Sequence, residues 1–302
     1  MKIAITGSSG FVGSHLSKLL AKEGHDLVPI SRRTGTDITK MPALSEAFAG
    51  CEVVVHCAGI NRELGRQTFD SVHVRGTRQV VDSAKGAGVH KIVLMSFLRA
   101  RPLCGSPYHE SKWAAEEIVR ASGLDYTIIK AGMTYGRGDH MLDHLSHAIH
   151  TIPVFATVGT QEKPIRPLAI QDLVAVLRAC SVDGRLCRQT VGIVGAEELL
   201  LSEAVRRVAG VLGKRVFVLS SPVAVQFALA QVFEWTMTVP LVAKAQVRIL
   251  SEGVVEALPA SDPLPPDLAP QRKFDETNIR AGLPAPGPFG FRDLRCCMRF
   301  CT

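Results

Sequence analysis

The chain has 302 residues, 46% hydrophobic and 21% charged, a composition that excludes a disordered protein and allows one long globular domain or slightly more. The net charge of +7 is spread without a long basic run or interleaved aromatics, which excludes a nucleic-acid footprint and leaves a bias towards anionic ligands. Met1-Lys2 leads straight into an apolar run, and the eight cysteines form no C-x-x-C pair, so a reduced, cytoplasmic protein is expected rather than a secreted disulfide framework.

The first element is the most informative. Ile3-Ala4-Ile5-Thr6 reads as a buried strand, and the helical pattern Phe11, Val12, Leu16, Leu19, Leu20 follows it. Between them lie Gly7, Gly10 and Gly13. A strand that turns sharply into a helix N-terminus presents N–H groups and the positive end of the helix dipole, which suits a diphosphate. Gly7 serves the tight turn, Gly10 the close approach of phosphate, and Gly13 the packing of helix on strand.

A second strand over 26–31 ends in Ser31-Arg32-Arg33. Two guanidinium groups there suit the 2′-phosphate of NADP(H), favoured over NAD(H), with solvation or stacking on adenine as the alternative. Asp37-Ile38 is expected against the adenine, with Asp37 taking its amino group. Between Arg33 and Asp37 there is little room for a further strand. Strands are expected over 53–58, 91–96 and 126–130, with helices over 14–23, 42–48, 72–86 and 107–122. This alternation predicts an α/β fold, a doubly wound parallel sheet with helices on both faces.

From about Ala131 the pattern becomes irregular. A smaller, interwoven C-terminal substrate region is expected over 136–302, beside a nucleotide-binding core over 1–135, with 168–195 returning to the core. Helices are read over 170–179 and 202–212, and a strand over 189–194. His140, His144 and His147 share one helix face near Asp139, Asp143 and His150. A metal site, a polar surface and a substrate contact are all compatible with that face, and no metal is expected. The apolar segment 222–240 is interrupted by Gln226, Gln231 and Glu234 and is short for a membrane span. It reads as a buried or lid helix, with contact to a membrane surface or an apolar substrate, through Phe227 and Phe233, as the alternative. The stretches 259–270 and 283–291 are proline-rich. Cys296, Cys297 and Cys301 read as a reduced tail, since no fourth metal ligand is near.

Tyr108 and Lys112 form a Y-x-x-x-K pair on a helix that starts at Ser106-Pro107, so they stand one turn apart on one face. An ammonium beside a phenol favours the phenolate, and such a tyrosine can exchange a proton when a hydride moves at a carbonyl carbon. Ser96 ends the preceding strand, where it can hydrogen-bond a substrate oxygen.

Together, Thr6-Gly7-Ser8-Ser9-Gly10-Phe11-Val12-Gly13, Cys57-Ala58-Gly59, Ser96 and Tyr108-His109-Glu110-Ser111-Lys112 resemble the short-chain dehydrogenase/reductase superfamily. The chain is most similar to the extended and atypical branch, which includes sugar-nucleotide epimerases and the dehydrogenase-like accessory subunit of respiratory complex I. Lys130-Ala131-Gly132-Met133 and Pro167-Leu168-Ala169-Ile170-Gln171-Asp172-Leu173 resemble later segments of that branch. The likeness covers roughly the first 215 residues.

The resemblance implies a Rossmann fold, a nicotinamide cofactor, and Ser96, Tyr108 and Lys112 as the catalytic set. It implies cofactor contacts from Ser9, Phe11 and Val12 in the turn, from Cys57, Ala58 and Gly59 after the third strand, and from Lys130, Gly132 and Met133 after the fifth. Tyr108 and Lys112 also reach the cofactor in this reading. The implied function is an NAD(P)-dependent oxidoreductase or epimerase-like enzyme acting on a small molecule, with a hydrophobic substrate and homo-oligomerisation left open. His73 stands where the branch usually has asparagine, and Lys130-Ala131 replaces its usual Arg-Pro. These departures leave a non-catalytic NADP(H)-binding redox sensor or assembly subunit as the alternative.

Overall fold

A computed structural model describes residues 1–237, 242–285 and 287–288. Cys296, Cys297 and Cys301 lie outside the described residues, as does the end of segment 283–291. The chain divides into two compact units. One comprises Met1–Gly132, Ile170–Val194 and Glu256–Gln271; the other comprises Met133–Ala169, Gly195–Val255 and the chain from Arg272 onward.

The first unit is built on a six-stranded parallel sheet. Its strands are β1 (Lys2–Thr6), β2 (Asp26–Ile30), β3 (Val53–His56), β4 (Lys91–Phe97), β5 (Asp125–Ala131) and β6 (Gln189–Ile193), in the spatial order β6-β5-β4-β3-β1-β2. The helices are α1 (Phe11–Lys22), α2 (Met41–Ala47), α3 (Gly76–Gly86), α4 (Pro107–Arg120) and α5 (Ile170–Ser181). This is the doubly wound arrangement expected from the alternating pattern. All four residues of β3 are buried because helices cover both faces of the sheet. On one face α2, α3 and α4 close over Ala4, Val54, Ile92 and Ile128 with Leu44, Val80 and Val119. On the other, α1 packs along α5. The strand order reverses at β1, which has β2 on one side and β3 on the other. The crevice beyond the carboxyl ends of β1 and β3 is where such sheets bind ligands.

Three local features add to the sequence pattern. Residues 72–75, read as the start of an ordinary helix, belong to a wider π-type turn, Asp70–Arg75, before α3 begins. After β2 a 3-10 turn, Arg32–Thr34, is fixed by a reciprocal cap: Thr34 N–H donates to Ser31 Oγ, and Ser31 N–H donates to Thr34 Oγ1. The proline-rich stretch after Pro259, read only as extended, is tied to the sheet. Leu258 N–H donates to Leu98 O at 3.1 Å, and Asp262 N–H donates to Thr190 O at 2.7 Å. Gly192 N–H adds a bond to Ser261 Oγ, so this stretch runs along β6 and satisfies its outer backbone groups.

The second unit has its own core, in which Leu142, Leu145 and Ile149 of the helix His140–Thr151 meet Val205 and Val208 of the helix Leu201–Val211. Tyr135 packs edge-on to Phe274 and donates its hydroxyl to Lys273 O. A two-stranded parallel sheet, Val154–Val158 with Phe217–Ser221, carries the helices Val223–Thr236 and Lys244–Glu252. Among the described residues no helix is long and apolar enough to cross a membrane.

The turn after β1 has no room for a side chain at Gly7 or Gly13. A Cβ on Gly13 would lie 2.3 Å from the Gly7 carbonyl oxygen, and one on Gly7 would lie 2.7 Å from Ala58 N. Gly13→Ala is expected to destabilise the protein by about 1–3 kcal/mol, because backbone rather than a yielding side chain must move. Urea unfolding of the two proteins measures this directly.

Candidate functional site

Gly7 has φ +71°, a conformation that favours glycine, and its N–H donates to Ile30 O at the end of β2. Gly10 caps α1 without a side-chain hydrogen bond, so the first-turn N–H groups of Phe11, Val12 and Gly13 are left for a ligand or solvent. The buried hydroxyl of Ser8 has no hydrogen-bond partner among the described residues, and Ser9 and Gly10 are exposed. An orphaned hydroxyl and uncapped N–H groups beside three glycines that carry no Cβ fit a dinucleotide diphosphate. Arg32 and Arg33 are exposed just beyond β2 and make no ion pair among the described residues. Asp37 is engaged: its Oδ1 accepts from both the N–H and the hydroxyl of Thr39. Ile38 is core, packed beneath Gly76.

At the end of β3, His56 is locked between two threonines. Its Nδ1 is 2.6 Å from Thr6 Oγ1 and its Nε2 is 3.0 Å from Thr77 Oγ1. Burial pushes its pKa down to about 3, so it is a neutral strut. Cys57, Ala58 and Gly59 follow as the chain leaves the sheet. Burial pushes the Cys57 thiol up to about 12, with Lys112 opposing.

The helix α4 presents the rest. Ser106 caps it, with Pro107 in its first turn, and Glu110 Oε1 accepts from the N–H groups of Cys104 and Gly105, tying the preceding loop to that turn. Tyr108 and Lys112 stand one turn apart on this frame. The Tyr108 ring lies among Phe69, His73, Phe97 and His109, with centroids 5.5–5.8 Å away. Its hydroxyl makes no hydrogen bond among the described residues.

The expectation that Lys112 draws the phenol pKa down is not what this arrangement gives. Burial in the aromatic cluster pushes Tyr108 up. Lys112 is itself pushed down to about 8 by desolvation, opposed by Cys57 and Glu116. Its ammonium donates to Met95 O at 3.3 Å, and a Cβ on Gly59 would come within 3.0 Å of it.

His73 is the site residue whose importance the sequence pattern hid. It sits in the π-type turn, and its Nε2 accepts from Ile60 N–H at 3.0 Å. Its Nδ1 is 2.9 Å from Ser111 Oγ, which donates to Tyr108 O at 2.9 Å. That pattern assigns the proton to Nδ1. Burial, with Lys112 nearby, lowers the pKa to about 2, so the ring stays neutral. The signal available was its occupation of the asparagine position.

Ser96 and Lys130 face other partners than those expected of them. In the β4–β5 register Ser96 pairs with Lys130, and both reach Glu116, a fully buried carboxylate on α4. Ser96 Oγ donates to Glu116 Oε1 at 2.5 Å, and Lys130 Nζ lies 3.2 Å from the same oxygen and donates to Ala100 O at 2.7 Å. Arg120 closes the network on Glu116 Oε2. Glu116 lies four residues beyond Lys112 on the inward face of α4, the one pattern that could have flagged it. Beyond β5, Gly132 N–H donates to Ile193 O, while in the other unit Met133 O accepts from Leu168 N–H.

The histidine helix belongs to the second unit. His147 Nδ1 and His150 Nδ1 bond to backbone carbonyls one turn back, and Asp139 caps the helix by accepting from Leu142 N–H. No cluster of three or more metal-ligating side chains forms among the described residues.

With this geometry in hand, the comparisons with known proteins are specific. A family model for NAD(P)H-binding domains matches residues 32–142. A ceramide reductase of Caulobacter vibrioides is 30% identical over 234 residues, covering 70% of this chain and 71% of that protein. A photosystem II assembly factor of Synechocystis is 24% identical, covering 78% of this chain and 76% of that one. In longer mycobacterial relatives, 25% identical, the match spans 24% of their length. Among solved structures, a UDP-glucuronic acid 4-epimerase of Bacillus cereus superposes with a TM-score of 0.68 over 93% of this chain and 98% of its own, at 17% identity. That likeness speaks for the fold alone.

The depressed Lys112 pKa has a measurable consequence. Between about pH 8 and its ordinary value of 10.5, the unfolded chain holds a proton on this side chain that the folded chain has lost. Stability therefore rises with pH across that window. Wild type should gain stability relative to Lys112→Met between those two pH values, measured by denaturant unfolding at each pH. Parallel curves would refute the shift.

Proposed function

The chain belongs to the extended branch of the short-chain dehydrogenase/reductase superfamily, and from that premise we propose that it is an NAD(P)(H)-dependent oxidoreductase acting at a carbonyl or hydroxyl carbon, with Tyr108 as acid/base. The observation that carries the proposal is the Tyr108 hydroxyl. It has no hydrogen bond among the described residues, stands one turn from Lys112, and shares an aromatic cluster with His73, which lies close to Gly59. The ring is buried while the unbonded hydroxyl stays open to solvent, where it can meet a substrate oxygen.

The residues of the Gly7–Gly13 turn would hold the diphosphate, and Gly59 and Lys112 the ribose side of the cofactor. When bound, a nicotinamide supplies or accepts the hydride. Tyr108 then gives its phenolic proton to the carbonyl oxygen during reduction, or takes it back during oxidation. Burial pushes the phenol up in the free protein, and in the cofactor complex Lys112, a half-buried cation one turn away, would oppose that cost when the phenolate forms. His73, held neutral, fixes Ser111 and through it the backbone at Tyr108. In this role it is a positioning residue.

The kinship with a protein named for reducing ceramide supports an apolar, long-chain carbonyl compound as substrate. NADP(H) is the proposed cofactor, on the exposed Arg32 and Arg33 beyond β2.

A second reading, a cofactor-binding protein without turnover, is favoured by one observation. Ser96 and Lys130 are committed to the buried Glu116 network. The kinship with a photosystem II assembly factor is compatible with it.

Tyr108→Phe separates the readings. Reduction of a long-chain ketone by NADPH should fall by about 10²–10⁴-fold while NADPH affinity, followed by nicotinamide fluorescence, is unchanged. An active wild type whose turnover survives the substitution would remove the acid/base assignment, whereas cofactor binding without turnover on any carbonyl compound would support the second reading. In the same titration, Arg32→Ala with Arg33→Ala should weaken NADPH by roughly 10–100-fold and leave NADH little changed, the loss expected for charge-assisted hydrogen bonds. Equal losses for both cofactors would count against the NADP assignment.

A further inference from the structure

The helix Val223–Thr236 is apolar on both sides, which is unusual for a helix that reaches the surface. Its inner side is accounted for. Phe227 and Ala230 pack with Val158 and Val247, and Gln226, buried, donates to Ala156 O at 3.2 Å. Gln231 and Glu234 are both engaged by Lys244. The polar residues of the helix are thus spent on the protein itself. Phe227 and Phe233, the side chains the sequence pointed to as ligand contacts, are half-buried.

The outward face is Val225, Leu229, Val232 and Trp235, at helical spacing, and Trp235 is 69% exposed. The strand leading into this helix continues the surface. Phe217 and Leu219, two residues apart on one side of the strand, are 69% and 58% exposed. Leu219 pairs across to Ala156, the residue whose carbonyl Gln226 holds.

We propose that this face seats in the boundary between headgroups and acyl chains of a membrane that carries anionic lipids. The charge around the patch selects that occupant. Lys214 and Arg215 are exposed just before Phe217 and make no ion pair among the described residues, whereas Lys244 and Arg248 after the helix are paired with Glu234 and Glu252. From position 213 to 252 the acidic residues are Glu234 and Glu252, each paired with a basic side chain, which leaves Lys214 and Arg215 as the uncompensated charges beside the patch. A second copy of the chain would bring like charges together on such a surface, whereas anionic headgroups complement them. Trp235 suits the interface, where an indole can bury its ring and keep its N–H in the polar layer. The inference stands independently of the redox chemistry proposed above, since none of these residues belongs to the nucleotide-binding unit.

Vesicle flotation tests it, with phosphatidylcholine alone and with phosphatidylcholine mixed with phosphatidylglycerol. Wild type should float with the mixed vesicles. Leu229→Glu with Trp235→Glu should lower the bound fraction about tenfold or more, as expected for charges on a buried apolar face. Lys214→Glu with Arg215→Glu should reduce binding to the mixed vesicles, and added salt should do the same to wild type. Far-UV circular dichroism and the thermal transition control for folding, and Leu229→Ser with Trp235→Ser serves if the first pair does not fold. Three results would overturn the proposal: wild type that stays unbound to mixed vesicles, face variants that float as wild type does, or a Lys214/Arg215 variant that binds undiminished. A wild-type dimer that the face variants dissociate, with no flotation, would assign the face to a second copy.

Discussion

The architecture of the nucleotide-binding unit depends on a close backbone approach. Gly7 comes so near Ala58, and Gly13 so near Gly7, that no Cβ fits at either glycine. This contact sets where α1 leaves the sheet and where the segment after β3 begins. Gly59, one residue beyond Ala58, then approaches both Lys112 and His73. The phosphate-binding turn and the candidate proton-transfer residues are therefore linked by packing, and the geometry of one fixes the other.

Around that frame, burial dominates the electrostatics. His56 and His73 are held neutral, Tyr108 is pushed up and Lys112 is pushed down, all by desolvation before any charge partner acts. Desolvation pushes Lys130 down as well, and there Glu116 opposes it as an ion partner. Glu116 and Lys130 are almost wholly buried and remain paired, with Ser96, Arg120 and Ala100 O completing their hydrogen bonds. A buried ion pair satisfied in this way is a weak source of stability but a strong constraint on register. Here it holds β4, β5 and α4 in one arrangement. Lys112 lies on the same helix one turn before Glu116, so its position is tied to that arrangement as well.

The second unit applies the opposite economy. Its helix Val223–Thr236 buries Gln226 against backbone carbonyls, ties Gln231 and Glu234 to Lys244, and leaves an apolar face outward. Burying a glutamine against Ala156 O is favourable because the hydrogen bond replaces its water. The outward positions Val225, Leu229, Val232 and Trp235 carry no polar group but the indole N–H.

By itself the sequence determined the periodic elements: the strand, glycine-turn and helix at the N-terminus, the alternation that makes a parallel sheet, and the one-turn spacing of Tyr108 and Lys112. These follow from local rules, namely side-chain period, glycine conformations and helix caps, that need no distant partner. The tertiary structure alone decided how far the Ser96 and Lys130 side chains are engaged, because both answer to Glu116 across a strand register. It alone made His73 a hinge between Ile60 and Ser111, since a residue of a π-type turn obeys no simple period. It alone returned the stretch after Pro259 to β6 and decided which side of the apolar helix faces out. Burial and hydrogen-bond partners are set by residues distant in the chain, and periodicity carries no record of them.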